Sequence, residues 1–67
     1  MTYRFDAGRS IRAAQNLQQV SNVELGKRLG VSRSRVQDYR IAHDMKVSTV
    51  VKICEALEID ILDFFKL

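Results

Sequence analysis

"SNVELGKRLGVSRSRVQDYRI", residues 21–41, reads as two short helices and the turn that joins them. Ser21 followed three residues later by Glu24 is a capping-box pattern, so a helix begins at about residue 22, with Val20, Leu25 and Leu29 as its apolar stripe. Gly30 ends that helix, as a glycine in left-handed conformation does. Only Val31 separates this glycine from Ser32, a second good cap, after which Val36 and Tyr39 stand at i and i+3. The spacing therefore predicts two helices meeting across a very tight turn. Arg33 and Arg35 look out of place in this pattern. They fall in the first turn of the second helix, where the partial positive charge of the helix end makes each cost about 0.3 kcal/mol or more. An anionic partner outside the chain would offset that repulsion.

Outward from this pair, the remaining chain also reads as helix. Ile11, Ala14 and Leu17 lie at helical spacing within residues 7–19, with Asp6 as N-cap and Tyr3 or Phe5 placed to pack over the first turn. After a loop over "IAHDMKV", residues 41–47, the apolar positions Val47, Val50, Val51, Cys54 and Leu57 mark a fourth helix that starts near Val47 or Ser48. Asp60 caps a last turn or two containing Ile61, Phe64 and Phe65. No stretch alternates with period two for long enough to predict a strand. The expectation is an all-α fold of five helices around one core, in a single domain over residues 1–67.

Sixty-seven residues lie near the lower limit for folding without a metal or disulfide, so most apolar residues must serve one small core, and no small-molecule ligand site is expected. The lone Cys54 cannot form an internal disulfide, and no secretory leader pattern opens the chain; a reducing cytoplasm fits best. No apolar run approaches the ~20 residues needed to span a bilayer, which predicts no membrane partner. The net charge of +3 conceals an asymmetry: residues 1–40 hold eight Lys/Arg against three Asp/Glu, and residues 41–67 three against five. The basic end therefore faces something anionic, and nucleic acid is the obvious candidate.

The positions of Leu25, Leu29, Val31, Val36 and Tyr39, with Gly26 where helices cross and Gly30 in the turn, resemble the helix-turn-helix of the phage Cro and lambda-repressor-like, or XRE-type, family. The motif covers residues 22–41, and "GRSIR" at 8–12 and "VVKICEALEIDILDFF" at 50–65 extend the likeness to the family's first, fourth and fifth helices. The loop before helix four is shorter than is usual in the family. The resemblance implies a compact lambda-repressor-like DNA-binding domain whose second motif helix enters the major groove with its N-terminal residues toward the base edges.

With Val36 and Tyr39 facing the core, Arg33, Ser34, Gln37 and Asp38 become the candidate base readers. Arginine pairs with guanine O6 and N7, and glutamine with adenine N6 and N7. Asp38 either accepts from a cytosine amino group or pairs with Arg35 or Ser34 to orient them, and the second reading is preferred. Arg35, on the flank, suits a phosphate, and Ser32, Lys46 and Asn22 join it as candidate phosphate contacts. Asn22 stands where the family usually has a Gln that contacts the DNA backbone or buttresses the reading helix. The family often pairs an Arg in helix one with a Glu just after the reading helix; here Gln15 and Arg40 hold those places, and a neutral Gln15 is expected to leave Arg40 free to reach a phosphate.

Other residue types are read more plainly. His43, beside Asp44, lacks companions for a zinc site and is read as a solvated loop residue. Cys54 is read as a small buried hydrophobe, and Glu55, Glu58, Asp60 and Asp63 as a solvated acidic face and a cap rather than paired catalytic carboxylates. Neither enzyme chemistry nor a cofactor is expected. Phe64 and Phe65 point about 100° apart on a helix, so one closes the core and the other, with Ile61 or Leu67, is available for a homodimer contact. The favoured reading is a Cro-like repressor that binds double-stranded operator DNA as a homodimer, under its own concentration or a regulatory protein partner. The rivals are a helix-turn-helix protein-interaction module, an antitoxin or anti-regulator, and a small activator.

Overall fold

The computed structural model describes residues 5–67, and Tyr3, one of the two aromatics expected over the first turn, lies outside them. Five helices follow one another: α1 (Ala7–Gln18), α2 (Asn22–Leu29), α3 (Arg33–Ile41), α4 (Val47–Ala56) and α5 (Ile61–Phe65). No strand occurs among the described residues. α1 packs on α3 and α5, α2 on α3 and α4, and α4 on α5. Ile11, Ala14, Leu25, Val36, Val50, Ile53, Cys54, Leu57 and Phe64 form the buried core.

The caps expected from sequence form. Asp6, Ser21, Ser32 and Asp60 accept from the backbone N–H groups of Arg9, Glu24, Arg35 and Leu62. At Ser21 only half of the capping box is recorded, because the Glu24 carboxylate accepts instead from Arg28 Nε at 3.3 Å, one turn further on. Gly30 adopts φ 73°, with Val31 N–H donating to the Gly26 carbonyl at 2.9 Å. These are the bonds of a Schellman turn. A Cβ on Gly26 would stand 2.8 Å from the Val31 carbonyl oxygen, so the tight turn requires glycine there.

Several apolar residues are not where periodicity alone put them. Leu17 is 71 % exposed, because it falls outside the arc of α1 that buries Ala7, Ile11 and Ala14; Gln15 occupies the inward position instead. On α4, Val50, Cys54 and Leu57 are buried as expected, but Val47 and Val51 are exposed and Ile53 is fully buried, so the buried stripe is turned by roughly 50° from the expected one. Phe64 is fully buried, which removes it as a dimerisation candidate. Phe65 is 47 % exposed and already has an intramolecular neighbour: Phe5 stacks on it edge to face at 4.8 Å. Cys54 is buried as expected, and that burial raises its thiol above the ordinary range, with the Asp60 carboxylate adding to the effect.

Backbone contacts set the position of α3 against α1. The first N–H groups of a helix have no intrahelical partner. Those of Ala7 and Gly8 donate to the carbonyls of His43 and Ala42, just past the end of α3, at 3.1 and 2.8 Å. Arg12 adds a side-chain bond to the Arg40 carbonyl. Gly8 permits this approach, since a Cβ there would overlap the Arg40 carbonyl and stand 2.8 Å from the Ala42 carbonyl oxygen.

Candidate nucleic-acid interface

α3 has one fully buried residue, Val36, with Tyr39 half-buried beside it. At about 100° per residue, the opposite side carries Ser34 and Asp38, flanked by Arg33 and Gln37 on one side and Arg35 on the other. All five are exposed. The fold thus brings the four expected base readers onto one outward surface. Lys46 is also exposed, as the N-cap of α4, and makes no side-chain cap bond. Ser32 uses its hydroxyl oxygen to accept from Arg35 N–H at 3.1 Å.

The ion pairs recorded among the described residues are Arg28–Glu24, His43–Asp6 and Lys66–Asp63, so Arg33, Arg35 and Lys46 have no carboxylate partner there. Arg35 lies with its guanidinium 5.9 Å from the centroid of the Tyr39 ring, one turn along. That cation–π contact holds the charge on the flank of the helix. Asp38 pairs with neither Arg35 nor Ser34, contrary to the preferred expectation; the Arg35 guanidinium lies toward the Tyr39 ring instead. One residue the sequence reading missed is Ile41, 63 % exposed on the same side as Ser34 and Asp38; its i+7 and i+3 spacing from them was the available signal.

Behind this surface lies a polar cluster. Arg40 Nη1 donates to Gln15 Oε1 at 2.8 Å and to Asn22 Oδ1 at 3.0 Å. Gln15 Nε2 donates to the same Asn22 Oδ1 at 3.0 Å and to the Val20 carbonyl at 3.2 Å. Asn22 Nδ2 reaches Gln37 Oε1 at 3.5 Å. Arg40 is therefore not left free by a neutral Gln15; the Gln15 amide oxygen accepts from it and draws it inward. Asn22 likewise turns its side chain toward α1 and α3 as a buttress. The three side chains join α1, α2 and α3, with no buried polar side-chain atom left unsatisfied among the described residues.

His43 is exposed, as expected, and its Nδ1 lies 3.0 Å from Asp6 Oδ2. The Asp6 carboxyl is held below the ordinary aspartate range, first by the Arg9 N–H and then by the His43 bond. Among the described residues, no three His, Cys, Asp or Glu side chains are grouped to hold a metal ion, and no helix is long and apolar enough to cross a membrane.

The tight turn at Gly30, the close crossing at Gly26 and the outward polar face of α3 together make a helix-turn-helix. A family model described as helix-turn-helix matches residues 9–64, most of the chain. The chain belongs to the XRE-type helix-turn-helix family, the Cro- and lambda-repressor-like proteins. This helix-turn-helix protein is accordingly a DNA-binding regulator. Neither the curated proteins nor the solved structures yield a match to it.

Proposed function

We propose that this helix-turn-helix protein is a Cro-like repressor that binds a near-palindromic operator as a homodimer, each copy laying α3 in the major groove. The observation that carries the reading is the outward face of α3, where Arg33, Ser34, Gln37 and Asp38 stand exposed while Val36 fixes the opposite side in the core. Arg33 pairs with guanine O6 and N7, Gln37 takes a purine N7 with adenine preferred, Ser34 bonds either kind of base edge, and Asp38 accepts from a cytosine amino group. Phosphates are met by Arg35, Ser32 and Lys46, and by the backbone N–H of Asn22, which as the first residue of α2 has no intrahelical acceptor.

One α3 spans few base pairs, so a second copy about 34 Å along the duplex supplies the remaining affinity and specificity. Exposed Phe65 and the half-buried Ile61 and Leu67, at the two ends of α5, are the residues we assign to joining the copies. Repression follows from occlusion of a promoter, with control through the protein's own concentration or a regulatory protein partner.

Selection of bound sequences from random duplex DNA tests the reading. The wild type should enrich a site with two-fold symmetry, and Arg33→Ala should relax one position in each half-site, by roughly 1 to 3 kcal/mol of discrimination. If no sequence is enriched, the repressor reading fails and a protein-interaction role takes its place.

A further inference from the structure

The cluster behind α3 has a direction. An arginine side chain carries donors and no acceptor, so any amide atom that it meets must be an oxygen. Arg40 Nη1 meets Gln15 Oε1 and Asn22 Oδ1, which fixes both amides against turning over. Gln15 reinforces the assignment: its Nε2 donates to Asn22 Oδ1 and to the Val20 carbonyl, and its side chain is almost completely buried. With its oxygen accepting from two donors, Asn22 can only present Nδ2 on its other side, and Gln37 Oε1 is what lies there. Gln37 is thereby held with Nε2, a pair of donors, turned away from the cluster.

We propose that Arg40, acting through Asn22, sets the donor–acceptor polarity of Gln37 and so decides which bases α3 accepts at the position Gln37 reads. Arg40 and Asn22 are positioning residues, and the inference rests on the reading of α3 as the DNA-reading helix. A donor-presenting Gln37 selects bases that offer an acceptor in the major groove: purine N7, guanine O6 or thymine O4. Adenine fits best, because the second lone pair of Oε1 remains for its N6 amino group. Cytosine, whose major-groove edge offers only an amino donor, is rejected. The polarity depends on the sign of the group at position 40. A carboxylate there would face the oxygens of Gln15 and Asn22; once that repulsion makes Gln15 give up its bond to the Val20 carbonyl, Asn22 reverses and turns the oxygen of Gln37 outward.

The test compares base preferences of the wild type, Gln37→Ala, Asn22→Asp and Arg40→Met on randomised duplex DNA. Gln37→Ala identifies the position concerned as the one whose preference it flattens. In Asn22→Asp both distal atoms are acceptors; one still meets Arg40 and the other faces Gln37, which must turn over to donate to it. Cytosine should then rise against guanine at that position by at least about fivefold, the scale of one hydrogen bond, and this ratio is unaffected by a uniform loss of affinity from the added charge. Arg40→Met should flatten the same position and leave the salt dependence of binding unchanged, since no phosphate contact is lost. In the free protein, the side-chain amide resonances of Gln37 should move in both variants, and in Asn22→Asp one of its protons should become slow to exchange.

If both variants give cooperative melts and keep the wild-type base order, the proposal is overturned. It is overturned equally if Gln37→Ala alters no position of an enriched site, a result that leaves the repressor reading intact. If the wild type enriches no site, the repressor reading fails, and base choice by Gln37 fails with it. Should Asn22→Asp not fold, Arg40→Met and the free-protein resonances decide the matter alone.

Discussion

α3 and α4 are nearly the same length, nine and ten residues, yet they are held by different forces. α4 buries Val50, Ile53 and Cys54, with Leu57 just beyond its end, and is fixed by apolar packing. α3 buries Val36 alone and is held by directional bonds: Gly8 and Arg12 on carbonyls at its end, and Arg40 and Gln37 in the cluster with Gln15 and Asn22. Apolar burial is non-directional and supplies adhesion, at about 1.5 to 3 kcal/mol for each large side chain. Hydrogen bonds contribute nearer ~1 kcal/mol each but specify an angle. A helix that must offer one face to a partner needs the angle more than the adhesion.

The strongest way to break this division is to weaken α4. Ile53→Ala should cost roughly 2 to 5 kcal/mol in chemical denaturation, as expected for a deleted core side chain. The surviving folded protein should bind DNA with unaltered base preference. Gly8→Ala should behave in the opposite sense. The added methyl drives the Arg40 carbonyl away from α1, with a stability loss of about 1 to 3 kcal/mol in the same measurement. Its loss of DNA affinity, read by titration of the selected site, should exceed that of Ile53→Ala at matched folded fraction.

A smaller effect sharpens the α1 side. Gln19 ends α1 at φ 55°, a left-handed conformation that disfavours residues with a side chain. Gln19→Gly should therefore raise stability, by up to about 1 kcal/mol, visible as a higher melting temperature. Asp6→Asn should change least at neutral pH, since asparagine caps a helix as well as aspartate. The Asp6 carboxyl is depressed in the folded protein, so its stabilising share is complete above the unfolded aspartate range and is lost as pH falls through the folded value. The substitution should flatten that acid limb in a pH series of melts.

What could be read from the sequence was what the chain decides locally. Ser21, Ser32, Asp6 and Asp60 cap helices through atoms two or three residues away, and Gly26 and Gly30 mark a crossing and a turn through backbone geometry that few other residues permit. The outward face of α3 was legible for the same reason, since Val36 and Tyr39 orient a short helix. The partner of Arg40 was not, because Gln15 and Asn22 lie 25 and 18 positions away and their meeting depends on how α1 docks. The inward turn of Gln15 was hidden too, as periodicity assigns a neutral polar residue to solvent by default. Adjacent Phe64 and Phe65 are equivalent by composition, and only the packing of α5 on α1 and α4 separates them.

The paired ends of α1 and α3 bear on how the chain assembles. The Ala7 and Gly8 N–H groups and the Ala42 and His43 carbonyls satisfy one another, and Arg12 reaches across 28 positions to the Arg40 carbonyl. Neither helix is finished without the other. A fragment holding only α2 and α3 would contain the whole motif and still lack the donors that close its second helix. The motif is thus a recognition unit without being a folding unit, and its last turn should order only when the first helix of the chain has docked beside it.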